Sequence, residues 1–253
     1  MKQQNFLGLQ VKVLLKKQVL EKISLFIDKP EGFFHIVSLN PENILITTKN
    51  ELFRKVLSES DIQLIDGIGV KLAMQFFSVP TGQRLTGVDF MEEIIKTYSV
   101  RRLRVLFLGG RSNLADKVSN CYNNKYKNLS SIGISGIKNI ANPSELEIKS
   151  IFSIVGDYKP QIIFAAFGSP YQELWFYQNK KQLNGIICMG VGGAFEFVAG
   201  VVPRAPKWVR KIGFEWLFRL TVQPWRIKRQ LKLLQFVYAV LKEKLKMLFR
   251  SNN

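Results

Sequence analysis

Short apolar runs alternate along this chain with longer segments in which apolar residues recur every three or four positions. The runs "FHIVSL" (34–39), "IQLID" (62–66), "LRVLFLG" (103–109), "SSIGIS" (130–135), "QIIFAAFG" (161–168) and "GIICMGV" (185–191) read as strands. Several are apolar at successive positions, as parallel strands covered by helices on both faces must be. Between them the helical period predicts helices over 41–58, 69–77, 87–98, 113–126, 143–157 and 170–182. Proline or a capping residue opens several, as at Asn142-Pro143 and Ser169-Pro170. The alternation predicts an α/β fold built on a doubly wound, mostly parallel sheet. Ligands of such sheets bind beyond the carboxyl ends of the strands.

After Gly200 the pattern changes. "VVPRAPKWVRK" reads as a proline-punctuated linker, and helical segments follow to the end. Ile227, Leu231, Leu234, Tyr238, Leu241, Leu245 and Leu248 fall at steps of four and three, one continuous apolar stripe on a helix. Lys228, Lys232, Lys242 and Lys246 lie on a neighbouring face. Two readings of this stripe stand at even weight. One is a seam packed on the core or in a coiled coil. The other is a basic amphipathic helix lying among lipid headgroups. The chain is thus expected to divide into an α/β core over 1–200 and a basic helical appendage over 201–253.

Charge sharpens that division. The net charge is +18, and from Val201 onward there are 13 basic and 2 acidic residues against 24 and 17 before it. More than half of the excess therefore sits in the last fifth of the chain, as in a tail with a role of its own. At 47% hydrophobic and 22% charged the sequence is that of a globular protein. Cys121 and Cys188 form neither a disulfide framework nor a metal spacing; Cys188, in "GIICMG", reads as a buried small hydrophobe, which fits a reducing, cytoplasmic setting. The amino-terminal segment meets a charge too often for a signal-peptide core. The longest uncharged run, 182–195, falls short of the ~20 residues that span a bilayer, so no segment is expected to cross one.

Four predicted strand ends carry groups that would converge in such a fold. In "SLNPEN", Ser38 and Asn40 precede a helix amino terminus able to hold an anion or a sugar hydroxyl. In "LIDGIGV", Asp66 ends an apolar strand, partly desolvated, with glycines behind it that a ligand could approach closely; taken alone, an Asp-Gly turn is more often purely structural. In "FGSPYQELW", Gly168 makes the turn, Gln172 follows, and Glu173 reads as an acid complementing a helix dipole. In "MGVGGAFEF", Gly190, Gly192 and Gly193 would let backbone amides reach a phosphate. With Gly109 at the end of another strand and Glu196 behind the last motif, these are the candidate substrate contacts.

Absences narrow the chemistry. The single histidine, His35, lies inside a strand, which disfavours Ser/His/Asp catalysis and histidine metal sites. None of the six aspartates forms a D-x-D pair that could clamp a metal-bound diphosphate, and neither a dinucleotide fingerprint nor a P-loop is present. An enzyme handling phosphates here would rely on arginines and backbone amides, with no cofactor and no metal.

Taken together, "NPENI", "LIDGIGV", "RLTGVDF", "FGSPYQE", "GVGGAFEFVAG", "PRAPKW", "GFEWLFRL" and "QPWRIKR" resemble, in order and spacing, the WecG/TagA/CpsF family of bacterial glycosyltransferases. The resemblance runs from about Phe34 to about Arg229. It implies a Rossmann-like core with a carboxy-terminal appendage that contacts membrane and closes the active site. It also implies metal-independent, inverting transfer of a sugar from a UDP-sugar donor to a polyprenyl-diphosphate-linked sugar acceptor. By the same resemblance Asp66 is the general base, Ser38 and Asn40 stand for the family's T-x-N, and Arg84 precedes "LTG". Gln172 is the family's catalytic glutamine, Tyr171 replaces its usual lysine, and Arg219, Arg226 and Arg229 match the appendage arginines that face substrate phosphates.

The expected partners are therefore the donor, the acceptor and an anionic membrane surface, at the cytoplasmic face of the bacterial cell membrane; a homo-oligomer is left open. N-acetylmannosamine, its uronic acid, glucose, glucuronic acid and mannose stay open as donor sugars, with teichoic acid, capsule or another polysaccharide as product. Two rival classes are weighed against this. A nucleic-acid binder needs a more basic core than this one, and a nucleotide-dependent oxidoreductase needs the missing fingerprint.

Overall fold

The computed structural model describes residues 3–111 and 113–251. At the amino end, an antiparallel hairpin of β1 (Gln3–Phe6) and β2 (Leu9–Lys12) leads into α1 (Lys16–Asp28), elements that the sequence pattern did not announce. The sheet follows. Its strands are β3 (Phe34–Leu39), β4 (Ile62–Ile65), β5 (Arg104–Gly109), β6 (Ser130–Ile134), β7 (Ile162–Ala166) and β8 (Ile187–Gly190). They run parallel in the order β4-β3-β8-β7-β5-β6. The expected Rossmann-like α/β sheet is present.

Apolar residues at successive strand positions serve two layers. Ile36, Leu64, Phe107 and Phe164 face a layer completed by Val19, Phe90, Ile94 and Phe195. Their neighbours Val37 and Ile65 face a second layer with Ile44 and Phe53. Leu106, Leu108 and Ile163 extend that side toward Trp175 and Phe176. His35 belongs to this packing, its ring 5.3 Å from that of Phe33 and 5.8 Å from that of Phe176. Burial pushes its pKa down to about 3, so the ring stays neutral.

Helices connect the strands on both faces. After β3 come α2 (Pro41–Thr47) and α3 (Glu51–Glu59), and after β4 come α4 (Ile68–Phe76) and α5 (Gly87–Tyr98). Then α6 (Leu114–Lys125) joins β5 to β6, α7 (Glu145–Tyr158) joins β6 to β7, and α8 (Tyr171–Gln178) joins β7 to β8. The short α9 (Ala194–Val198) follows β8. The helix expected over 41–58 is therefore two. Thr47 and Thr48 turn their hydroxyls back onto Ile44 and Leu45 at 2.7 Å each, and Asn50 restarts the helix by accepting from the Phe53 amide at 2.9 Å. Likewise Ser144, not Asn142, caps α7, in a capping box with Glu147.

The regular elements of the last fifth are all helical: α10 (Lys207–Lys211) inside the expected linker, then α11 (Glu215–Val222), a 3₁₀ turn at Pro224–Arg226 and α12 (Ile227–Ser251). Helix α12 packs on α2 through Leu233, Phe236 and Val240, which join the layer of Phe6, Val37 and Ile44. The apolar stripe lies elsewhere: Ile227, Leu231, Leu234, Tyr238, Leu241 and Leu245 are each at least half exposed. At 100° per residue the two faces are about 150° apart. The seam on the core is thus real but made by other residues, and the stripe faces outward. The side chain of Leu248 lies outside the described residues.

Candidate active site

The chain leaves β3 toward one edge of the sheet and β5 toward the other, so their loops diverge and open a crevice. A cavity of about 1190 Å³ fills it, bounded by the strand-end loops below and by α11 and the 3₁₀ turn above. Core and appendage enclose it together.

Asp66 lines this cavity at the end of β4. Its backbone amide donates to the Leu39 carbonyl at 3.0 Å, fixing the turn to the neighbouring strand. The Gly87 amide, at the start of α5, donates to its carboxylate. Burial nevertheless dominates and pushes the pKa up to about 6; the Gly87 amide and Arg84 oppose this, while the charges of Glu215 and Asp89 add to it. The result is a carboxylate that is ionised at neutral pH yet basic enough to take a proton. Gly67 behind it is explained by packing: a Cβ there would come within 2.8 Å of the Pro41 ring.

Ser38 and Asn40 reach the same cavity from the end of β3. Asn40 uses its side-chain oxygen to cap α2, accepting from the Asn43 amide at 2.9 Å, so its NH₂ is the group it can offer a ligand. Arg84 lines the cavity and donates to the carbonyl of Arg210, joining the Asp66 side of the site to α10.

Gln172 is buried between two loops. Its Oε1 accepts from the Gly168 amide at 3.1 Å and the Gly192 amide at 3.3 Å, holding the exits of β7 and β8 together. Both glycines have positive φ, +86° and +49°. Gly190 is a glycine because Gln172 occupies the place of any Cβ. Gly168, Gly190, Gly192 and Gly193 line the cavity. Gly109 stands behind its wall, where a Cβ would lie 2.7 Å from the Phe167 ring, and Gly110 lines the cavity instead.

Arg219 comes down from α11 onto this glycine loop. Its guanidinium occupies the space beside Gly193, pairs with Glu196, and lies 4.5 Å from the centroid of Phe197. Its Nε donates to Gln223 at 3.0 Å. Arg226 stands 3.8 Å from the same Glu196 carboxylate. Glu196 therefore orients the two arginines. The side chain of Arg229 lies outside the described residues.

The comparison with known proteins fits this geometry. The glycosyl transferase WecG/TagA/CpsF family matches the chain over residues 4–250. The chain belongs to that family. It is similar to the N-acetylglucosaminyldiphosphoundecaprenol N-acetyl-beta-D-mannosaminyltransferases of Staphylococcus aureus strains NCTC 8325 and COL. Each is 28% identical over 230 residues, which cover 90% of this chain and 88% of the relative. Membership makes the chain a glycosyltransferase of cell-surface polymer synthesis, and the nucleic-acid and oxidoreductase readings give way to it.

Three features of this glycosyltransferase lay beyond the sequence reading. Arg204 joins α5 to α11, pairing with Asp89 of the first at 2.6 Å and Glu215 of the second at 3.2 Å, and Arg210 adds a contact to Asp89 at 3.2 Å. Burial would raise Asp89, but the Thr86 hydroxyl and these guanidiniums hold its pKa below the usual range. Lys232 of α12 meets Glu42 of α2 at 2.6 Å, beside the cavity. Glu173, read as a dipole cap, is wholly buried under Gln172. The charge run in the tail pointed to the first two, without naming their partners.

Proposed function

We propose that this glycosyltransferase moves N-acetylmannosamine from a UDP-sugar to a polyprenyl-diphosphate-linked N-acetylglucosamine, with inversion, at the cytoplasmic face of the membrane. The observation that carries the reading is Asp66, a carboxylate with a pKa raised to about 6 in a cavity also lined by Arg219 and Arg226. An acceptor hydroxyl attacks the anomeric carbon while Asp66 takes its proton. The bond from that carbon to the diphosphate oxygen breaks, and the electron pair leaves with UDP. Arg219, Arg226 and Arg229 hold the departing diphosphate, aided by backbone amides of the glycine loop. One displacement on an α-linked nucleotide sugar gives a β product, in keeping with the "beta-D-mannosaminyl" in the relatives' names.

Arg84, Ser38 and Asn40 position the reacting sugars in this reading, and Gln172 fixes the loops beneath them. Among the described residues no group of three or more His, Cys, Asp or Glu side chains could hold a metal ion. Transfer is therefore expected to persist in EDTA; loss in chelator restored by Mg²⁺ or Mn²⁺ would contradict this.

No described helix is long and apolar enough to cross a membrane. The outward stripe of α12, together with exposed Trp208, Trp225 and Phe249, supports a peripheral contact with anionic lipid. The donor is tested with a panel of UDP- and GDP-sugars and a short-chain lipid-diphosphate N-acetylglucosamine acceptor. UDP-N-acetylmannosamine is expected to give the highest kcat/KM, and a higher value for another sugar would reassign the donor.

A further inference from the structure

One buried carboxyl group has no part in the reaction above. Glu173, in the first turn of α8, is 1% exposed. Its Oε1 accepts from the Ser169 hydroxyl and from Gln172 Nε2, both at 2.8 Å. Its Oε2 is buried with no hydrogen-bond partner. No ion pair involving Glu173 is present among the described residues. A dipole cap would face solvent at a helix end, whereas this group is aimed into a polar chain that forms part of the cavity lining.

That chain has a direction. Glu173 fixes the NH₂ of Gln172, which decides which way round the carboxamide lies. The oxygen of Gln172 then takes the amides of Gly168 and Gly192. Gly192 leads into Gly193, the residue against which the Arg219 guanidinium packs. A carboxamide turned the other way would set its NH₂ against two backbone N–H groups, and both loops would have to move.

We propose that Glu173 is a positioning residue of the transfer site: through Gln172 it sets the β7 and β8 exit loops, and so the seat of Arg219 on the leaving diphosphate. The inference rests on the reading of the cavity as the transfer site. The part played is that of a neutral hydrogen-bond acceptor, so the required atom is Oε1 and not a negative charge. Burial raises the carboxyl's proton affinity, against the hydrogen bonds from Gln172 and Ser169, which agrees with that part.

Two variants of the full-length protein test it. Glu173→Gln keeps an acceptor in the same place without a charge, whereas Glu173→Met fills the space and supplies none. For Glu173→Met kcat is expected to fall about 10–100-fold, with a smaller change in the donor KM, because displaced loops weaken contacts to the transition state more than to bound donor. Glu173→Gln should stay within about threefold of wild type. Amide hydrogen exchange without substrate gives an independent reading: Gly168 and Gly192 should exchange faster in Glu173→Met and as in wild type in Glu173→Gln.

If Glu173→Gln is as impaired as Glu173→Met, the charge itself is required and the inference fails. It fails equally if Glu173→Met retains wild-type kcat and amide protection. Should Glu173→Met not fold, Ser169→Ala together with Glu173→Gln decides the matter by the same two measurements. Should wild type itself prove inactive with every donor, the exchange data still judge the positioning chain, and only the transfer reading falls.

Discussion

A carboxylate with a pKa of about 6 has opposite consequences for activity and for stability, and both follow from the burial of Asp66. As the base of the free enzyme it must be ionised, so kcat/KM should rise about tenfold per pH unit below 6 and level off above it. A rate profile flat from pH 5 to 8 would contradict the assignment. For stability the folded pKa lies above the unfolded value of about 3.9. The contribution of Asp66 is therefore fully present below pH 4 and is lost as the pH rises through 6. Asp66→Asn should accordingly raise the melting temperature at pH 8 by roughly 3–6 °C, with no gain at pH 4. Thermal melts at the two pH values check this, and a lower melting temperature for the variant at pH 8 would sink it. Asp66 was legible in the sequence because a lone acid closing an apolar strand is a local pattern. Gly67 lines the cavity, but the ring it must also clear, Pro41, is distant in sequence and was not legible there. Glu173 escaped for a different reason: its partners Ser169 and Gln172 are local, but the burial that turns it inward is not visible in a sequence.

Helix α12 carries two apolar faces in different surroundings. Leu233, Phe236 and Val240 pack on α2, and the stripe from Ile227 to Leu245 faces outward. Phe236→Ala should lower stability by about 3 kcal/mol through the cavity it leaves. Replacing Leu234, Leu241 and Leu245 by glutamine should leave the melting temperature nearly unchanged and weaken binding to anionic vesicles. Co-sedimentation and thermal melts on both variants separate these effects; a stripe variant that unfolds would show that the outward face is structural. The stripe stood out in the sequence because it is long and regular. The packed face did not, because three residues over two turns make a weak period beside it. Helices α2 and α3 teach a similar lesson. Apolar spacing runs on through 41–58, and only the hydroxyl back-bonds of Thr47 and Thr48 and the cap at Asn50 divide it.

At the scale of the molecule, the site exists only where core and appendage meet. Arg204 and Arg210 hold the appendage on Asp89, Lys232 holds it on Glu42, and Arg84 reaches across to the Arg210 carbonyl. The basic balance of the last fifth is thus spent partly inside the protein, on named acidic partners, and partly at the cavity wall. Cutting the chain after Gly200 should abolish transfer, and it would also uncover the layer that Phe236 and Val240 fill. The parallel sheet and the convergence of strand ends were implied by the alternation of elements, whereas the strand order was not. The closing of the site from above was implied only by family resemblance, because nothing local says where a tail returns.

The central claim is that Asp66 takes the acceptor's proton in a transfer from nucleotide sugar to lipid-linked sugar. UDP release from UDP-N-acetylmannosamine, measured with and without a soluble lipid-diphosphate N-acetylglucosamine analogue, tests it in wild type and Asp66→Asn. Acceptor-dependent release is expected in wild type, with turnover about two to four orders of magnitude lower in a variant that still folds and binds UDP. Acceptor-dependent release by Asp66→Asn at more than roughly a tenth of the wild-type rate would contradict the account.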